Sequence, residues 1–183
     1  IANLPATASL AIDDGAVLRL VQNADATFSQ SISGDGTVIK EGSGTLTVTA
    51  IGSEGFNFTG STDVRGGALV VNGDAFGGTI ALADGTRLSG SGSTGMVNIA
   101  SGATIAPGNS IDTLSVTGAS FAAGSRYIVE LNDGGAQAGV NNDLITSSGD
   151  VTITGGTVFV RPENGTDNGS TYTAGSTYTI ITA

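Results

Sequence analysis

Between Gly34 and Gly73 the chain reads GDGTVIKEGSGTLTVTAIGSEGFNFTGSTDVRGGALVVNG, short alternating runs separated by glycine, and the same punctuation recurs through the rest of the sequence. A short unit repeated along a chain has an apolar face too small to bury alone, so it buries that face by stacking on the next unit. Strand-like runs fall at 16–21, 26–32, 37–40, 45–49, 68–72, 79–82, 97–99 and 113–117. Turn signals such as Asp14-Gly15, Asp84-Gly85 and Ser101-Gly102 stand between them. The run Thr45-Leu46-Thr47-Val48-Thr49 alternates strictly, so Leu46 and Val48 share a face, whereas Ala68-Leu69-Val70-Val71 is continuously apolar. No window holds a helical period. The runs are spaced as successive sides of a coil, and the expected fold is an all-β solenoid.

Composition agrees. The 183 residues hold 30 glycines and only 12 % charged side chains, yet 39 % are hydrophobic, too many for a disordered linker. The net charge of −10 is dispersed (Asp13, Asp14, Asp25, Asp35, Asp63, Asp74, Asp84), which keeps a surface solvated and argues against nucleic acid or anionic membranes as partners. Without cysteine, stability rests on packing. The opening Ile1-Ala2-Asn3 lacks the basic start of a signal peptide, which points to a fragment or processed product. The longest uncharged run, Leu88 to Ile111, is too rich in Gly and Ser for a transmembrane helix.

After about Gly118 the runs lengthen. Residues 125–132 and 149–160 are better patterned, and Gly155-Gly156 reads as a two-residue hairpin turn. Five of the nine aromatics lie here: Phe121, Tyr127, Phe159, Tyr172 and Tyr178. A solenoid needs a terminal unit that closes its core and blunts its edge. Residues 1–118 are therefore expected to form coils and 119–183 a C-terminal cap of antiparallel strands, continuous with them and not a separate domain. The cap-core candidates are Phe121, Tyr127, Val129, Leu131, Phe159 and Tyr178, with Tyr127, Val129 and Leu131 alternating onto one face.

Motifs for chemistry are sparse. Gly90, Gly92 and Gly95 match a dinucleotide fingerprint, with Asp112 at a plausible distance, but the following Met96-Val97-Asn98-Ile99 is strand-like and gives no helix N-terminus for a pyrophosphate. With neither histidine nor cysteine, a Ser-His-Asp triad, a cysteine nucleophile and an ordinary zinc site are excluded within these residues. Asp13, Asp14 and Asp35 near Arg19 are the remaining material for carboxylate chemistry, and no spacing gathers three of them. Neither an EF-hand nor a calcium β-roll repeat occurs, and Asp167-Asn168-Gly169 reads as a turn. Sequons at Asn57, Asn164 and Asn168 are what a threonine-rich chain produces by chance. The expectation is no cofactor, no metal and no enzyme activity.

The segment from Gly34 to Gly73 also resembles the passenger-associated repeat of bacterial autotransporters (type V secretion), at Gly34, Gly36, Lys40, Gly42, Gly44, Thr45, Leu46, Thr47, Phe58, Thr59, Gly60, Leu69, Val71, Asn72 and Gly73. Val48 replaces a leucine, and Ala50-Ile51-Gly52-Ser53-Glu54 departs from the usual turn. Ala106-Pro107-Gly108-Asn109-Ser110 with Thr113-Leu114-Ser115-Val116 is similar to the element that follows the repeat, and Tyr178-Thr179-Ile180-Ile181-Thr182-Ala183 to the segment that closes a passenger. The resemblance covers about three quarters of the chain. It implies a right-handed parallel β-helix exported across the outer membrane and displayed on the cell surface or secreted, its C-terminal part acting as an autochaperone. The implied partner is the polypeptide's own outer-membrane β-barrel, and the expected state is a monomer. Two functions follow from it: a folding module and stalk, or an adhesive surface for host matrix or glycans.

Overall fold

The computed structural model describes residues 9–49, 58–132, 134–163 and 174–183. The departures at 50–54, the three sequons, the Asp167 turn and Tyr172 lie wholly or partly outside them. Within the described residues the chain winds as a three-sided coil. One side carries β2 (Val17–Val21), β5 (Thr37–Glu41), β7 (Ser61–Val64), β10 (Ile80–Leu82), the later part of β12 (Ser93–Ile99), the later part of β14 (Thr113–Phe121) and β17 (Val151–Ile153). A second side carries β3 (Ala26–Phe28), β6 (Thr45–Val48), β8 (Ala68–Val71), β11 (Arg87–Gly90), β13 (Thr104–Pro107), β15 (Arg126–Leu131) and β18 (Thr157–Pro162). The third begins with β1 (Ser9–Ala11) on β4 (Ser31–Ser33) and continues through β9 (Asp74–Phe76), the first halves of β12 and β14, β16 (Leu144–Ser147) and β19 (Ile181–Thr182). Every strand pair is parallel, and no α-helix occurs among the described residues. The molecule is a parallel β-helix.

Parallel stacking in register puts like residues above like. Leu46, Leu69, Leu88, Ile105 and Tyr127 form one interior row, and Val64, Leu82, Ile99 and Phe121 another. All are buried. At one corner the glycines are structural: a Cβ on Gly60, Gly78 or Gly95 would stand 2.0, 1.9 and 1.9 Å from a carbonyl oxygen of the coil below. The backbone has taken the volume of the side chain, so only glycine fits.

The expected antiparallel cap requires correction. β17 pairs parallel with β14 and β18 parallel with β15, so Gly155-Gly156 turns a corner of the coil and does not reverse the chain. The strands on either side of it each find a partner in the coil beneath and none in each other. Among the described residues, antiparallel pairing is confined to isolated bridges, Gly90 with Gly108 and Leu131 with Asn142. The 118/119 division falls inside β14, and all three sides of the solenoid run across it.

Candidate functional site in the C-terminal coils

The longest described strand, β14, leads into β15, where residues 127, 129 and 131 point inward. Tyr127, Val129 and Leu131 are buried, as is Phe121. The Phe121 and Tyr127 rings lie 6.2 Å apart at 38°, within the range of favourable aromatic pairs. The Tyr127 hydroxyl donates to the Ile180 carbonyl at 2.7 Å, satisfying the one polar atom this ring brings into the core and fixing the final segment. Burial, with the nearby Asp143 charge, holds that phenol in its neutral form. Tyr178 is half-buried and packs on the same core with Ile180 and Ile181. Phe159 is placed differently: it is 41 % exposed, with the Arg126 guanidinium 5.6 Å from its ring centre. Its strand is the last on its side, and its position in the alternation faces outward beside Ile128.

A polar node ties these coils together. Asp143 is 1 % exposed, and its carboxylate accepts the main-chain N–H of Glu130 at 2.8 Å and of Asp112 at 3.1 Å. Burial pushes its pKa up to about 7 against the lowering effect of those two donors, with Glu130 and Asp112 adding smaller upward pushes. Asn142, fully buried, donates to the carbonyls of Asp143 at 2.7 Å and Thr179 at 2.8 Å. Glu163 joins two further coils by accepting from Ser110 at 2.8 Å and Asn132 at 3.2 Å. Asn142 and Asp143 were not singled out from the sequence; the one signal was the unbroken polar run Asn141-Asn142-Asp143, which reads equally as a turn.

Among the described residues the last interior rows are left uncovered. Ile153, Val158 and Val160 continue the interior rows but are 63 %, 48 % and 61 % exposed. A cavity of about 380 Å³ opens there between Phe121, Tyr127, Ile153, Val158, Tyr178 and Ile180. At the other end Leu20 and Phe28 are buried.

Other sequence candidates are dispersed. Arg19 pairs with Glu41 at 2.6 Å, not with Asp13, Asp14 or Asp35. Gly90 ends β11, and Gly95 lies within β12. The Asp112 carboxylate accepts the N–H of Thr113 at 2.7 Å. Among the described residues no three carboxylates gather where a metal could bind.

No protein-family model matches the chain. The whole chain is similar to part of an extracellular serine protease of Serratia marcescens, at 32 % identity over 190 aligned residues. It spans 17 % of the length of that relative. The expectation of no enzyme is thereby corrected: the relative that this chain resembles over part of its length is named as a serine protease. Absence of catalytic motifs within a short stretch says nothing about the polypeptide that carries it. The finer likeness to the autotransporter repeat rests on the residues quoted above.

Proposed function

We propose that this β-helix belongs to the exported passenger of a secreted serine protease of the autotransporter type, and that its C-terminal coils fold first and template the coils stacked before them. The observation that carries the reading is the likeness of the whole chain to a stretch of an extracellular serine protease, joined to a parallel solenoid. A first coil orders its backbone with no neighbour to cover its face, so starting a solenoid is costly and extending it is easier. The C-terminal coils offset that cost best. They hold the nine-residue β14, the Phe121–Tyr127 pair and the buried hydrogen bonds of Asn142 and Asp143. Once formed, they present a strand edge on each side for the preceding coil. The outer-membrane barrel of the same polypeptide is the partner on this reading, and the solenoid is the scaffold on which the protease activity is carried outside the cell.

The test is Leu131→Asp in the full-length parent, a charge placed among buried side chains of β15. Surface exposure of the passenger and proteolysis in the medium are both expected to fall sharply, whereas Asp84→Asn, at an exposed turn, leaves both near normal. Normal export of the Leu131→Asp protein would overturn the templating role.

A further inference from the structure

One interior row contains a residue that does not belong with its neighbours. Leu20, Lys40, Val64, Leu82 and Ile99 stand above one another on the same side, and Lys40 is as buried as the aliphatic residues, with 0 % exposure. It is the single lysine of the chain. Its Nζ donates to the carbonyls of Gly44 and Gly66 at 2.6 Å and of Gly42 at 3.0 Å. An ammonium has three hydrogens, and three main-chain oxygens accept them. Two of these oxygens lie in the turn between β5 and β6, and the third lies in the turn between β7 and β8, one coil further on. Gly67 leaves the room: at φ 64° it borders the cage, and a Cβ there would sit 2.6 Å from Nζ. Among the described residues no salt bridge pairs this charge; burial lowers its pKa, and Asp25 opposes that only through space.

We propose that the carbonyls of Gly42, Gly44 and Gly66 form a binding site for a primary ammonium, and that Lys40 is its tethered occupant, clamping two successive coils in register. Three acceptors match the three hydrogens of an R–NH₃⁺ group. A quaternary ammonium has no hydrogen to donate to them. The aliphatic stem fills the gap that the row leaves between Leu20 and Val64. A buried cation of this kind penalises a slipped coil, because any other register leaves the charge without acceptors.

The site is testable by emptying it. Lys40→Ala, refolded from urea, is expected to give a much lower unfolding midpoint than the unaltered chain. Adding n-propylammonium during refolding should raise the midpoint saturably, and the folded fraction in intermediate urea about tenfold, as binding to the native state alone requires. Tetramethylammonium at equal ionic strength should give no such rise. Lys40→Met, which keeps the stem without the charge, should not respond to the amine. Equal rescue by tetramethylammonium, or none by propylammonium, would overturn the proposal. Where Lys40→Ala fails to fold in every salt, the unaltered chain decides. Its lysine should resist acylation at a rate set by unfolding, and acylation at the rate of a free amine with the fold intact would show that the cage does not hold it.

Discussion

Gly78 and Asp143 show how single positions carry this fold. Gly78 stands where the previous coil's backbone already fills the place of a side chain, so Gly78→Ala must push two coils apart. It is expected to cost about 3 kcal/mol or more, against about 1 kcal/mol for Gly85→Ala, where φ is positive but nothing lies within 4 Å. Urea titration of the two variants measures the contrast. At Asp143 the folded pKa, raised to about 7 from 3.8, means that the native state holds a proton between those values that the unfolded chain releases. Stability from this group is therefore full below about pH 4, declines as pH rises through 7 and is flat beyond, with a span on the order of 2–4 kcal/mol. The unfolding midpoint should be higher at pH 5 than at pH 8, and Asp143→Asn should flatten most of that difference, separating it from the general relief of charge repulsion in an acidic protein.

Among the strands, the legible ones were those whose side chains alternate or run apolar: β2, β5, β6 and β8 fall within a residue or so of their sequence assignments. Residues 26–32 were read as one strand but form two, β3 and β4, with the corner between them. β7, Ser-Thr-Asp-Val, and β11, Arg-Leu-Ser-Gly, were passed over because the solenoid buries only alternate positions and tolerates polar residues at the others. The hairpin at Gly155-Gly156 failed for a deeper reason: local turn chemistry does not reveal whether a strand's partner is the next one along or one a full coil away. Parallel pairing is non-local, so the sequence showed the solenoid through its repeat and hid the pairing of its last turn. Of the candidate site, the inward alternation of Tyr127, Val129 and Leu131 was legible, whereas the Asp143 node depends on which coils meet. The same geometry orders the amides. Hydrogen exchange should be slowest in β14 and β15, which are paired on both sides, and markedly faster in β18, which among the described residues has β15 alone. Equal protection in β15 and β18 would mean that the last coil is covered in solution.

At the scale of the whole solenoid, the last interior rows of the described residues are more exposed than the rows before them, and substitutions should reveal it. Val158→Lys together with Val160→Lys should leave the circular dichroism and melting temperature nearly unchanged and reduce binding of a hydrophobic dye, since these side chains already face solvent. Val129→Lys, one coil inward and fully buried, should unfold the chain. The ladder of parallel strands also has a mechanical consequence. Each coil occupies about 4.8 Å of the axis but contains roughly twenty residues, or about 70 Å of extended chain. Tension applied to the C-terminus therefore loads the hydrogen bonds of one coil at a time and peels them in sequence. Under a steady pull the molecule should lengthen in discrete steps, each set by the length of the coil released, as a spool unwinds, with the step that frees the Lys40 turn demanding more force than its neighbours.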